Sequence, residues 1–321
     1  PCGRAVHRER RVPPCAQPMN AVEQHLATRR SAGLFDFSFM GLYEFSGSEA
    51  LARVQTRRLS DIVPGQIAYA LLLNDDGSVF NDATVWNMGA DRWWLFTGRR
   101  SDFEWISARA SARDRSGEHA ILALQGPLSG RILAHLVGEE IVRQLRYFRF
   151  IENGDLLIGR LGYSGELGYE LMMPVVEEPR LRAALLTCGA NLELCECSFE
   201  AANSLRIESG YVLFGREIDG RANPCELGLQ RLVSDKTRKF NAARKLVGLE
   251  IEDMPPRADL PVAQATSECR SPSLGRAIAL GFADPDVAAR SSVALADGRT
   301  ARLAQLPFYD PARRLPRGAP L

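Results

Sequence analysis

Two pairs of apolar runs, each folded about a polar, glycine-containing turn, restrict the architecture more than any other feature of this sequence. QIAYALLL (66–73) and SVFNDATVW (78–86) are joined by Asn74-Asp75-Asp76-Gly77, and YFRFIENGDLLIGRLGY (147–163) folds back on itself with Asn153-Gly154 in the turn. Runs of this kind, interrupted by such turn residues, read as β-hairpins. LYEFSG (42–47), RWWLFTG (92–98) and ILALQGP (121–127) supply further strands.

Around these strands the pattern is helical. The first helix starts at Asn20 and ends at Gly33 as its C-cap, and the second, SEALARVQTRR (48–58), starts with Ser48 as its N-cap. SDFEWISARA (101–110), LSGRILAHLVG (128–138), EEPRLRAALLTCG (177–189) and FEAANSLRIESG (199–210) follow. Hairpins and helices mixed in irregular order predict an α+β fold and not a doubly wound parallel sheet. After the polar stretch DKTRKFNAARK (235–245) the helical pattern fades, and a small all-β unit is predicted from near Leu246. No internal repeat is present.

Composition excludes several functions. With 40 basic and 39 acidic residues the net charge is +1, which gives no electrostatic reason for a nucleic-acid or anionic-membrane partner. The seven cysteines form no CxxC pair and no disulfide framework, and Cys195-Glu196-Cys197 has no second pair to complete a metal site. No metal is expected. No apolar run approaches the length of a membrane span, and PCGRAVHRERRVPPCAQP (1–18) lacks the apolar centre of a secretory signal. A cytoplasmic location with reduced thiols is expected.

No phosphate loop, dinucleotide fingerprint, zinc-protease helix or serine elbow appears, and four scattered histidines argue against a histidine-based triad. The stretch that invites a chemical reading is GYSGELGYEL (162–171). Its glycines allow the chain to turn with φ > 0. One reading is a tight loop before an edge strand. The other is a pocket lip, because a carboxylate beside aromatic faces grips a flat heterocycle carrying adjacent N–H donors.

GYSGELGYELMMP resembles the Gly-Tyr-Thr-Gly-Glu-x-Gly-Tyr-Glu signature of the glycine cleavage T-proteins, the tetrahydrofolate-dependent aminomethyltransferases. Further motifs follow in the family's order: RRSAGLFDFSFMG (29–41), GQIAYALLLNDDGSVFNDATVW (65–86), LALQGPLSGRIL (122–133), SLRIESGYVLFGREID (204–219), NPCELGL (223–229), VGLEI (247–251), SPSLGRAIAL (271–280) and LPFYDP (306–311). The resemblance covers roughly residues 22–312. It implies a three-subdomain cloverleaf around a central folate channel. The chain would then divide into an irregular segment 1–19, a folate-binding aminomethyltransferase unit of two subdomains at 20–242, and a C-terminal β-barrel at 243–321.

The resemblance also implies roles. Asp82 matches the family's catalytic aspartate. Glu170 matches the glutamate that holds the pterin, Tyr163 begins that signature, Tyr69 lines the channel, and Trp86 stands where the family commonly has tyrosine. Asn81 replaces the first aspartate of the family's pair, which is expected to lower the Asp82 pKa by removing a like charge. Arg206 and Glu208 read as structural. Phe39, Thr97-Gly98, Ala202 and Gln230-Arg231 depart from the family pattern; Ala202 stands where an arginine helps to bind folate. The implied cofactor is tetrahydrofolate, and the implied partner is a small aminomethyl or methyl donor, including the lipoyl-carrying H-protein. The departures keep two alternatives open: a tetrahydrofolate-dependent demethylase or methyltransferase for an N-, O- or S-methyl compound, and a folate-binding protein without turnover.

Overall fold

The computed structural model describes residues 19–252 and 260–321; His7, Cys2, Cys15 and the rest of the basic, proline-rich N-terminus lie outside them. The fold is α+β. Its first sheet has six strands in the order Cys195–Cys197, Gly33–Asp36, His119–Gln125, Gly168–Pro174, Leu156–Gly159 and Phe150–Asn153. The second has five, in the order Ile67–Leu73, Val79–Gly89, Arg92–Thr97, Gly41–Ser46 and Arg113–Asp114. Five C-terminal strands, Lys245–Glu252, Ala277–Ala283, Val262–Arg270, Ser292–Leu295 and Thr300–Ala304, close into a barrel. No helix among the described residues is long and apolar enough to cross a membrane.

Alternation along each strand decides which side chains meet. Phe35, Ala123 and Met172 of the first sheet share a core with Leu42, Ile67, Trp86 and Phe96 of the second. The opposite face of the first sheet buries Leu34, Leu122 and Leu171 against helices Ser129–Val137 and Glu178–Gly189. Leu71 and Val79 pack with Leu232 and the barrel's Phe282, tying the second sheet to the C-terminal unit.

Several local expectations are corrected. The first helix is capped at Asn20, whose side chain accepts from the Glu23 backbone while Glu23 bonds back to Asn20, but it ends at Arg30. Gly33 is no cap: it opens a strand, where a Cβ would collide with Thr28 and Cys197. The helix expected over 48–58 spans only Ser48–Ala52. Ser48 is already helical, and Asp91 from a distant turn bonds its amide at 3.0 Å. Gln55 then accepts from the Arg57 amide and donates to the Arg57 carbonyl, fixing a turn that ends the helical path. In the second hairpin Asn153 pairs with Leu156, so the turn itself is Gly154-Asp155 with Gly154 at φ 63°.

GYSGELGYEL is not followed by an edge strand. Gly168–Pro174 lies inside its sheet, paired on both sides. Only Gly165 of the three glycines takes a positive φ, 79°. Gly162 and Gly168 serve another need: a Cβ on either would strike the Gln125 side chain. That amide is fixed between the Leu161 carbonyl at 3.3 Å and the Ser164 hydroxyl at 2.8 Å, so it cannot withdraw without losing both bonds.

Candidate functional site

The inter-sheet core does not extend through the whole molecule. At one end it opens into a cavity of about 930 Å³ lined by both sheets, the segment 210–214 and the start of the barrel at Lys245 and Leu246. Glu170 lies two residues before the core residue Met172 on a continuous strand, and Asp82 lies four before Trp86, so the pleat turns both carboxylates toward the inter-sheet space. Both line the cavity, together with Tyr69 and Tyr163.

Glu170 is 7% exposed, and among the described residues no group donates a hydrogen bond to it. Burial alone pushes its pKa up to about 7. A carboxylate largely removed from bulk water, with no protein donor and facing a cavity, is a group that a bound donor can satisfy.

Asp82 is held differently. Tyr69 and Asp82 are diagonal neighbours on paired strands, and the Tyr69 hydroxyl donates to Asp82 Oδ2 at 2.7 Å. Burial raises the Asp82 pKa, the Tyr69 bond and the backbone lower it, and the nearby Asp102 raises it, leaving it at about 6. Tyr69 is itself pushed well above its ordinary range by burial and by the Asp82 charge, so the phenol keeps its proton and remains the donor. Asn81, the neighbour of Asp82 in the chain, has a partner of its own. Neighbouring strand residues face opposite sides, and Asn81 points away from the cavity to donate to Asp102 at 2.5 Å. The like charge near Asp82 is Asp102, which no local pattern places there, and burial is the main reason that the Asp82 pKa stands above its ordinary value.

Tyr163 reaches across to the Val212 carbonyl at 2.5 Å and stacks on Tyr211 with ring centroids 5.8 Å apart. Trp86 is not among the cavity-lining residues. It is fully buried, its indole N–H bonds Thr84, and its faces are covered by Phe96 and Phe150 at 5.1 and 5.0 Å, so no stacking face is left for a ligand. The reason is steric: Gly159 of the first sheet presents no Cβ, and the indole fills that space.

Of the departures from the family pattern, Phe39, Thr97, Gly98 and Arg231 line the cavity. Phe39 stacks edge-on against Phe199 at 5.7 Å, making an exposed aromatic rim. Ala202 is buried in the inter-sheet core and does not reach the cavity. Arg57, Arg231, Lys245, Arg313 and Arg317 bring positive charge to the wall from four separate segments of the chain. Sequence reasoning missed them as a group because, apart from Arg313 and Arg317, they lie far apart in the chain. Arg206 and Glu208 belong to buried networks: Arg206 pairs with Glu217 at 2.8 Å, and Glu208 with Arg29 at 2.8 Å and His25 at 3.2 Å. Among the described residues no group of three or more His, Cys, Asp or Glu side chains is placed to hold a metal ion.

Comparison with known proteins agrees with this geometry. Residues 16–237 match the GCVT N-terminal domain, and residues 244–310 match the glycine cleavage T-protein C-terminal barrel domain. An aminomethyltransferase of Symbiobacterium thermophilum is 33% identical, with 93% of this chain and 92% of that protein covered. One from Halothermothrix orenii is 31% identical over 85% of each. The fold superposes on the crystal structure of glycine cleavage system aminomethyltransferase T from Bartonella henselae with a TM-score of 0.77 at 23% identity, covering 91% of this chain and 90% of that one. The chain belongs to the glycine cleavage T-protein family of aminomethyltransferases.

Proposed function

We propose that the protein is a tetrahydrofolate-dependent aminomethyltransferase, and the observation that carries this reading is the unpartnered Glu170 carboxylate on the cavity wall. A flat heterocycle with adjacent N–H donors satisfies both oxygens of such a group, and the charge-assisted bonds offset the cost of its burial. The cavity volume lies within the usual range for small-molecule sites, roughly 300–1,000 Å³. The residues present therefore fit a pterin. The chemistry supplied by bound tetrahydrofolate is a pair of nitrogens able to take up the one-carbon unit.

The roles then divide between two carboxylates. Glu170 binds and orients. Asp82, with a pKa near 6, is mostly ionised at neutral pH yet close enough to accept and return a proton. Tyr69 occupies Oδ2 and fixes the carboxylate plane, leaving Oδ1 to receive the proton of the attacking nitrogen and to steady the positive charge of the departing amine. Tyr163 and its partner Tyr211 offer stacked aromatic rings along the cavity wall against which a flat ring can pack. A second reading, transfer from a small N-, O- or S-methyl donor, is favoured by the aromatic rim of Phe39 and Phe199 at the cavity.

The test mixes the protein with tetrahydrofolate and H-protein carrying an aminomethyl-lipoyl group and follows ammonia release. Turnover that falls by about 10²-fold or more in Asp82→Asn, with tetrahydrofolate binding by calorimetry retained, is the expected result. Absence of ammonia from this donor, with product from a methylated small molecule, replaces the first reading by the second. Absence of tetrahydrofolate binding by the parent chain refutes both.

A further inference from the structure

Cys195 and Cys197 form the ends of a three-residue strand at the edge of the first sheet, far in sequence from any residue of the candidate site except the helix that follows them. Being two apart on a strand, they face the same side, and their sulfurs stand 3.4 Å from each other. Both are half-buried. Cys197 Sγ is backed by Thr28 Oγ1 at 3.6 Å and by Gly33, where a Cβ would come within 2.7 Å of the sulfur. No metal-binding group of three surrounds the pair among the described residues.

We propose that this pair is a reversible dithiol–disulfide site, and that closing the bridge loosens the start of the Phe199–Glu208 helix. The geometry places the sulfurs in contact but the backbone in a strained position for a bond. Two residues of strand separate the Cα atoms by about 6.6 Å, at the upper edge of the ~4.4–6.8 Å window that a disulfide tolerates. Bridging therefore shortens the strand, which pairs with a neighbour on one side alone, in parallel register with Gly33, Leu34 and Phe35, and is anchored besides by the Glu196–Arg182 ion pair at 2.8 Å. Ser198, the next residue, caps the helix through Ala201 at 3.4 Å and holds Gln24 of the first helix with both its amide and hydroxyl at 2.8 Å. Phe199 follows and lines the cavity. The Cys197 hydrogen bond to Cys195 lowers the Cys195 pKa against the opposing effect of burial, so Cys195 is the thiol that ionises and attacks.

The reaction balances with a small-molecule disulfide as oxidant. The Cys195 thiolate attacks one of its sulfurs and releases the first thiol, then Cys197 displaces the second. The protein loses two electrons and two protons, and the oxidant leaves as two thiols. A strained bridge of this kind is easily reduced again, as a labile site requires.

The full chain is equilibrated with glutathione buffers of increasing oxidised fraction, quenched with acid, alkylated and digested. The expected result is a 195–197 peptide that loses about 2 Da and takes no alkyl group, reverting with dithiothreitol. Amide exchange across 195–201 should be about tenfold faster in the oxidised chain, and the same oxidant should leave that exchange unchanged in Cys197→Ser. The proposal is overturned if both thiols stay alkylatable at the most oxidising step, if each takes a separate glutathione, or if either pairs with another cysteine. A 195–197 bridge without faster exchange overturns the coupling to the helix.

Discussion

Replacing Glu170 by glutamine should make the protein more stable and worse at binding its ligand. The folded chain raises the Glu170 pKa from an ordinary 4.5 to about 7 through burial. A carboxylic acid whose pKa is raised on folding binds its proton more tightly in the native state. Its contribution to stability is thus fully present below pH 4.5 and lost as pH rises through 7. The shift of about 2.5 units corresponds to roughly 3 kcal/mol lost by pH 8, since each unit is worth about 1.4 kcal/mol. Glutamine keeps the shape and cannot ionise. Urea denaturation of the parent and Glu170→Gln at pH 5 and pH 8 should therefore give similar stabilities at the lower pH, with the variant ahead by about 2–3 kcal/mol at the higher. Asp82, raised from 3.8 to about 6, adds a slope of the same sign that the variant retains. Tetrahydrofolate affinity should fall in the same variant by the ~1.5–3 kcal/mol that hydrogen bonds to a charged group contribute. A variant no more stable than its parent at pH 8, with an unchanged slope between pH 4.5 and 7, would mean that Glu170 has a partner within the protein, and the case for a ligand-facing carboxylate would collapse.

Three other outcomes follow from the same geometry. Tyr69→Phe removes the bond that lowers the Asp82 pKa, so the acid limb of the pH–rate profile should move to higher pH while stability changes little; a limb that stays in place would detach Asp82 from the observed titration. Glu208 works with the opposite sign to Glu170. Burial raises its pKa, but bonds from His25 and the Arg29 charge outweigh that and hold it at about 2, so its contribution is present above pH 4.5 and lost as pH falls toward 2. Glu208→Gln removes the charge-assisted bonds from Arg29 and His25 while Arg29 keeps Glu166 at 2.9 Å, and should cost about 1–3 kcal/mol in denaturation at pH 7. Gly159→Ala drives a methyl group into the buried indole of Trp86 and should cost about 1–3 kcal/mol, with a changed tryptophan emission; an unchanged midpoint would show that the indole can move aside.

The sequence was most legible where one residue serves one neighbour. The hairpin carrying Asp82 and the one that precedes the Glu170 strand could be read because turn residues and alternation are local signals, and the motifs in order identified the family. The roles around Asp82 could not be read the same way. Asn81 looked like the loss of a neighbouring charge, but the pleat separates adjacent side chains, and the charge that acts on Asp82 arrives from Asp102, twenty positions later. Trp86 looked like a ligand-facing ring because an aromatic stands there in relatives. Its place inside the core depends on Gly159, a residue of the other sheet whose importance lies in the side chain it lacks. Gly162 and Gly168 teach the same point. They read as turn glycines, and what requires them is Gln125, a side chain held by two hydrogen bonds in a strand some forty residues earlier. A sequence records these residues but not the distances between them. Glu170 differs because a carboxylate in the middle of an apolar strand is conspicuous in the sequence itself, and the structure places it on the cavity wall with no protein donor among the described residues.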